Sequence, residues 1–177
     1  LFSPTANAES EQAIFAGGCF WCLEHDMEAV PGVLSVESGY TGGLIENPTY
    51  RNHEGHSEAV KVTYDSSKIN FQKLLINYWI NVDPFDSSGQ FCDRGDSYRP
   101  IIYFMNDYQK DEANKSVIER ASKLSVPVDK IAVKVQPSNR FWIAEDYHQD
   151  FAEKNLLKYK FYRSACQRDK RLKEVWD

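Results

Sequence analysis

The chain has 177 residues, of which 42% are hydrophobic and 14% aromatic, so it can bury one well-packed core but is too short for two large domains. Its formal net charge of −5 argues against the basic surface that general nucleic-acid binding requires. No apolar run is long enough to cross a membrane, and four cysteines are too few for a disulfide-dense scaffold. We therefore expect one domain that binds neither nucleic acid nor membranes.

The N-terminal segment, residues 1–10, contains the small-residue pattern Ala6-Asn7-Ala8 that resembles the cleavage site of a secretory signal. This pattern predicts a signal-peptide remnant and a periplasmic or secreted protein. The alternative is a disordered N-terminus on a cytoplasmic protein. With either interpretation, the folded domain is expected at 11–160.

The first predicted strand, 11–16, leads directly into a thiol. Apolar residues in 21–30 recur near helical spacing, so Cys19 lies where a helix is expected to begin. The unpaired N–H groups and the dipole at a helix N-terminus stabilise an anion, which predicts a lowered pKa and a reactive thiolate at Cys19. Cys22 follows one helical turn later on the same face.

The remaining pattern alternates strands with helices. Strands are predicted at 33–39, 58–64, 101–104 and 131–135, and helices at 71–80, at 106–124 and within 144–157. Two long polar loops, 40–56 and 83–100, are candidate walls of a functional site. Residues 161–177 are expected to form a basic C-terminal tail that packs on the domain or extends from it. The interleaved order predicts an α/β sandwich in which a mixed β-sheet has flanking helices and a ferredoxin-like two-layer core.

Five separate sequence blocks make the chain resemble the A-type peptide methionine sulfoxide reductases. The blocks are Gly18-Cys19-Phe20-Trp21-Cys22, Ser38-Gly39-Tyr40-Thr41-Gly42-Gly43, Gly55-His56-Ser57-Glu58-Ala59-Val60, Asp93-Arg94-Gly95-Asp96-Ser97-Tyr98-Arg99 and Ala144-Glu145-Asp146-Tyr147-His148-Gln149. They occur in the family's order. The resemblance implies an enzyme that repairs oxidised proteins by reducing the S-epimer of methionine sulfoxide, free or in proteins.

The resemblance also implies a set of catalytic residues. Cys19 would be the nucleophile that attacks the sulfoxide sulfur, and Glu58 would be the acid that protonates the sulfoxide oxygen. Tyr40 and Tyr98 would donate hydrogen bonds to that oxygen, and Asp93 would arrange the polar network. Because Glu58 must hold a proton near neutral pH, we expect its carboxyl to be buried.

Aromatic side chains are expected to bind the substrate. The resemblance implies that Phe20 and Trp21 hold the methyl group of the sulfoxide, and aromatic rings attract both methyl groups and sulfur. His148 is expected in a supporting role at the same substrate-binding site.

A second thiol must remove the sulfenic acid that the reaction leaves on Cys19. Cys22 is the nearby candidate, since a Cys-x-x-Cys pair needs no large movement, and Cys166 in the tail is the distant one. Cys92 is expected to stay buried. A thioredoxin-like dithiol would reopen the disulfide, as in the family, with no cofactor and no metal, and we expect a monomer.

Two other functions compete with this interpretation. A thioredoxin-type disulfide oxidoreductase would use the Cys19-x-x-Cys22 pair alone and would leave the acid and the tyrosines without a role. A zinc-binding module would use Cys19, Cys22, His53 and His56, but the spacing of these residues departs from that of common zinc fingers.

Overall fold

In the computed structural model, which describes residues 9–177, a mixed β-sheet lies at the centre and helices cover it. The strands are β1 (Ser10–Ala16), β2 (Val33–Thr41), β3 (Ser57–Asp65), β4 (Gly89–Gln90), β5 (Asp93–Arg94), β6 (Ile101–Phe104), β7 (Lys134–Pro137) and β8 (Trp142–Ile143). The helices are α1 (Phe20–Glu28), α2 (Phe71–Trp79), α3 (Asp107–Lys123), α4 (Phe151–Lys154), α5 (Leu156–Ala165) and α6 (Arg168–Trp176).

The main sheet has six strands in the order β7-β6-β1-β3-β2-β8. All neighbours are antiparallel except β6 and β7, which run parallel. The central strands β6, β1, β3 and β2, together with α1 and α2, form the β-α-β-β-α-β arrangement of ferredoxin-like folds. The predicted mixed sheet with flanking helices is therefore confirmed.

Strand β1 supplies apolar side chains to both faces of the sheet. Because successive side chains point to opposite faces, Ala13 and Phe15 enter the main core beneath the helices, whereas Ile14 and Ala16 join a smaller cluster on the other face. A strand buried on both faces is a rigid base for the residues that follow it. Those residues are the ones that lead to Cys19.

Helix α2 matches its predicted position and packs one apolar face into the core. The Asn70 side chain caps it by accepting a hydrogen bond from the Lys73 N–H. Its buried residues are Phe71, Leu74, Leu75, Tyr78 and Trp79. The Tyr78 hydroxyl donates to the Ala16 carbonyl at 2.7 Å, which ties α2 to the end of β1.

The last strand predicted on the main sheet is displaced toward the C-terminus. Residues 128–130 form a 3₁₀ turn, and the buried side chains of Ile131 and Val133 enter the core before strand pairing begins at Lys134. Ile131 and Val133 are apolar because they are buried, and their alternate positions in the sequence predicted a strand at 131–135. Their backbone does not pair with β6.

The C-terminal residues form helices α5 and α6, which pack against the loops around α1. Arg168 is buried and donates hydrogen bonds to the carbonyls of Gly17 and Asn81. The Trp176 indole N–H donates to the Val82 carbonyl. These contacts bring a segment distant in sequence next to Cys19.

The predicted signal remnant or disordered N-terminus falls largely on residues 1–8, which lie outside the described residues, and β1 begins at Ser10. Within residues 9–177, no helix combines the length and the hydropathy needed to cross a membrane.

Candidate active site

A tight approach between two chain segments places Cys19 at the start of α1. Gly18 has φ +85°, which favours glycine, and a Cβ there would lie 2.7 Å from the Cβ of Gln90. Cys19 is the N-cap residue of α1, and its carbonyl accepts from the N–H groups of Cys22 and Leu23. The thiol thus sits between a buried strand and the first turn of a helix.

A small cavity of about 50 Å³ opens over this thiol. Its lining residues are Cys19, Phe20, Trp21, Tyr50, Glu58, Asp93, Tyr98 and Tyr162. The two long polar loops contribute Tyr50, Asp93 and Tyr98, as expected of site walls. The cavity therefore unites the predicted nucleophile and acid with most of their predicted partners.

The Glu58 carboxyl is buried, as expected, with 1% of the residue exposed. Its Oε2 accepts a hydrogen bond from the Phe20 N–H at 3.2 Å. Burial is the main cause that raises the pKa of Glu58 to about 8, and the nearby Asp93 carboxyl also raises it, whereas the Phe20 N–H and the Tyr98 hydroxyl lower it. Glu58 is consequently protonated at neutral pH and able to act as an acid.

The two neighbouring thiols differ in acidity. Burial, the Cys22 thiol and the Glu58 and Asp93 carboxyls all raise the pKa of Cys19 well above its usual value. The pKa of Cys22 falls to about 7, mainly because the Cys19 thiol acts as its hydrogen-bond partner, although burial opposes this. The expected lowering of the Cys19 pKa is therefore wrong for the free enzyme, and burial is the largest cause of the rise.

Asp93 connects the cavity to the C-terminal helices. The Tyr162 hydroxyl on α5 donates to Asp93 Oδ2. Burial raises the pKa of Asp93, while the Tyr162 hydroxyl and the positive charge of Arg168 lower it. The Asp93 carboxyl therefore joins a wall of the cavity to α5, and its role in arranging the polar network stays a prediction.

Tyr40 does not reach this cavity. Its side chain is buried, and its hydroxyl donates to Glu145 Oε1 at 2.9 Å. Glu145 Oε2 accepts from the backbone N–H of Tyr50, whose ring lines the cavity instead. The predicted hydrogen bond from Tyr40 to the sulfoxide oxygen is thus wrong, because β2 directs that side chain into the core.

Sequence reasoning missed two residues that line the cavity, Tyr50 and Tyr162. Tyr50 follows Asn47-Pro48-Thr49 in the first long loop, a turn-forming sequence ahead of an aromatic hydroxyl. That combination was available as a signal, but a loop tyrosine has no periodic pattern that shows where its ring points.

His148 supports the site indirectly and does not line the cavity. The Trp21 indole N–H donates to His148 Nδ1 at 3.0 Å, and since indole can only donate, the ring proton is assigned to Nε2. Burial lowers the pKa of His148, which favours this neutral ring. Its predicted substrate contact is corrected to a positioning role, because its ring packs against Phe20, Trp21 and Tyr50 but is not part of the cavity lining.

The other two cysteines form a disulfide. Cys92 and Cys166 are bonded across a sequence separation of 74 residues, whereas Cys19 and Cys22 are free thiols. The expectation that Cys92 stays buried is wrong, since it is exposed in the second long loop. Cys166 has no free thiol in this state of the protein.

The residues of the zinc alternative are not assembled. The Gly43 N–H donates to His56 Nδ1, and His56 Nε2 contacts the Ile45 carbonyl, so both ring nitrogens of His56 form hydrogen bonds with the backbone of the first long loop. Within residues 9–177, neither histidine belongs to a cluster of three or more potential metal ligands.

Comparison with known proteins places these features in a family. The sequence model described as "Peptide methionine sulfoxide reductase" matches residues 11–177. A Caulobacter vibrioides relative named peptide methionine sulfoxide reductase MsrA 2 is 53% identical over 175 residues, covering 97% of this chain and 88% of the relative. The solved structure of methionine sulfoxide reductase A of Corynebacterium diphtheriae is 30% identical with a TM-score of 0.78, covering 86% of this chain and 78% of that chain.

Proposed function

This chain belongs to the peptide methionine sulfoxide reductase family, and from that premise we propose which of its residues carry out each step. The protein is an oxidoreductase that reduces methionine sulfoxide to methionine with thiols. The observation that supports our assignment of roles is the single cavity where the Cys19 thiol and the buried, protonated Glu58 converge. A disulfide oxidoreductase would not need this acid.

The first step joins an acid and a soft nucleophile at one S–O bond. A sulfoxide sulfur is a poor electrophile until its oxygen is protonated, so Glu58 donates its proton to that oxygen. The Cys19 sulfur bonds to the substrate sulfur, and the thiol proton replaces the one that Glu58 gave up. The oxygen then passes to Cys19, which becomes a sulfenic acid while methionine leaves, so the substrate gains the two electrons that Cys19 loses.

Two hydroxyls stabilise the oxygen during this step. Tyr50 and Tyr98 line the same cavity as Glu58, where burial keeps the pKa of both hydroxyls above the usual value. They remain protonated and serve as preorganised donors toward the developing charge. Tyr50 takes the role that the sequence suggested for Tyr40.

The aromatic residues on α1 determine substrate orientation. Phe20 and Trp21 line the cavity beside the thiol, and their rings suit a methyl group next to sulfur. With the methyl group against these rings and the oxygen at Glu58, only one epimer presents its sulfur to Cys19. We assign this epimer as S.

Cys22 is our choice for the resolving thiol. It lies one turn from Cys19, and its pKa is lowered to about 7 in the free enzyme, where the Cys19 thiol is its hydrogen-bond partner. Cys166 is already bonded to Cys92. Cys22 therefore attacks the sulfenic acid, forms the Cys19–Cys22 disulfide and releases water.

A thioredoxin-like dithiol is the proposed reductant. The Cys19–Cys22 disulfide must accept two electrons to restore both thiols, and disulfide exchange with an external dithiol supplies them. The reaction as written has no step that needs a metal or an organic cofactor. A monomeric state stays a prediction.

The direct test of this function uses separated epimers of a methionine sulfoxide derivative with dithiothreitol as reductant. We expect turnover of the S-epimer alone, measured by chromatography of the methionine product. Equal turnover of both epimers would contradict the assigned orientation, and turnover of neither by folded protein would contradict the function.

Substitution of the tyrosines tests which hydroxyls meet the oxygen. Tyr50→Phe and Tyr98→Phe are each expected to lower kcat/KM by about 10- to 100-fold, because each variant removes one donor from the cavity. The matched control is Tyr40→Phe, whose hydroxyl donates to Glu145, and it should change kcat/KM by less than about threefold. A larger loss in Tyr40→Phe than in Tyr50→Phe would restore the original assignment.

A further inference from the structure

A group of carboxyls lies outside the reductase cavity, between α1 and α4. Glu24 and Glu28 are one helical turn apart on α1, and Asp150 immediately precedes α4. One carboxylate oxygen from each of the three lies within 4.8 Å of the others. The cluster thus joins the helix that begins at Cys19 to the segment that follows His148.

The innermost carboxyl has an unused oxygen. Glu24 is 1% exposed, and its Oε1 has no hydrogen-bond partner among residues 9–177. The buried Ser38 hydroxyl lies beside this carboxyl but outside hydrogen-bond geometry, so its oxygen is unpartnered within the described part of the chain as well. Buried polar atoms are normally paired, and unpaired ones often mark the place of a ligand.

The positive charge near the cluster is small and lies on its outer side. Lys154 Nζ is 3.5 Å from Asp150 Oδ2, but 55% of the lysine side chain is exposed. The same ammonium group donates to the Gln149 carbonyl. This lysine makes no hydrogen bond to the buried Glu24 oxygen. Burial and the neighbouring carboxyls, with Asp150 as a hydrogen-bond partner of Glu28, raise the pKa of both Glu24 and Glu28 to about 7, as expected where acidic groups crowd together without a cation.

We propose that Glu24, Glu28 and Asp150 bind a calcium ion that bridges α1 and α4. Carboxylate oxygens are the ligands that hard cations prefer, and Ca²⁺ accepts irregular sets at roughly 2.3–2.6 Å. Two oxygens on opposite sides of Ca²⁺ would be about 4.6–5.2 Å apart, so the present spacing already permits shared coordination. Mg²⁺ needs shorter distances and near-ideal octahedral geometry, which this loose group supplies less well.

Access to the site is available from the exposed side. A depression of about 420 Å³ is lined by Glu28 and by residues of α4, among them Ala152 and Glu153. Water ligands can complete the coordination from this side, since Ca²⁺ takes six to eight oxygens. A bound ion would stabilise the attachment of α4 to α1 independently of the thiol chemistry.

Calorimetric titration of chelator-treated protein with CaCl₂ tests this site. We expect one Ca²⁺ per chain and a higher thermal unfolding midpoint in its presence, because a ligand that binds only the folded state stabilises it. Glu28→Gln should weaken binding at least about tenfold, because it removes a charged ligand from an exposed position where folding is unaffected. The control Glu119→Gln, an exposed glutamate on α3, should bind Ca²⁺ as the wild type does.

Three results would overturn the proposal. The first is that millimolar Ca²⁺ neither binds nor shifts the thermal unfolding midpoint. The second is that Glu28→Gln binds Ca²⁺ with unchanged affinity, and the third is that the protein binds Mg²⁺ more tightly than Ca²⁺. The first result is expected if the carboxyls are held by shared protons instead of an ion. A Glu24→Gln variant gives a second measurement, with circular dichroism as the check on folding, and it too should lose Ca²⁺ affinity.

Discussion

Replacement of Cys19 by serine is expected to reduce methionine sulfoxide turnover to background, a loss on the order of 10⁴-fold or more. A serine hydroxyl is a harder and far less acidic group than a thiol, so it cannot attack the sulfoxide sulfur or carry the oxygen as a sulfenic acid. The side chain is similar in size and the site is only 6% exposed, so we expect the fold to persist. The measurement is product formation from the S-epimer with dithiothreitol, alongside circular dichroism.

A matched control for this prediction is Cys22→Ser, which keeps the nucleophile and removes the resolving thiol. With one equivalent of substrate it should form one equivalent of methionine and retain a sulfenic acid on Cys19, detectable as a dimedone adduct by mass spectrometry. The wild type should yield a Cys19–Cys22 disulfide instead. A Cys19–Cys166 disulfide in either protein would contradict our choice of resolving thiol, and full activity of Cys19→Ser would contradict the choice of nucleophile.

The Glu58→Gln variant is expected to lose about 10²- to 10⁴-fold in kcat/KM, the range typical of a positioned general acid. Glutamine preserves the shape of the side chain and can still accept from the Phe20 N–H, but it has no proton to transfer. The kinetic comparison should use Glu37→Gln as a control, since Glu37 is a carboxyl on β2 that pairs with Lys61 away from the cavity.

The pH dependence of kcat/KM provides the independent check on Glu58. Because its pKa is raised to about 8, the carboxyl is protonated below that pH and loses its proton above it. The wild-type kcat/KM should therefore fall as the pH rises through about 8, and this decline should be absent from the residual activity of Glu58→Gln. A variant that retains the decline, or that keeps activity within about threefold of the wild type, would show that another group supplies the proton.

Much of the fold follows from local sequence pattern. The apolar spacing and the Asn70 cap specify α2, and the continuous apolar run at 13–16 is typical of a strand buried on both faces, as β1 is. The two-residue strand β8 and the displaced β7 could not be predicted in this way, because such short pairings form only after neighbouring strands are in place. The two C-terminal helices could not be predicted either, because their high charge is equally compatible with a solvated tail. Only the tertiary structure shows the buried contacts, such as those of Arg168, that pack them on the domain.

The sequence by itself determined the family, and it predicted Cys19 as the nucleophile and Glu58 as the acid, since these inferences depend on residue types within five short sequence blocks. Only the tertiary structure decided that Tyr50 and not Tyr40 enters the cavity, that Cys92 pairs with Cys166, and that burial raises the pKa of Cys19. The physical reason is the same in each case. A side chain's direction and burial depend on segments far away in the chain, which local periodicity does not encode.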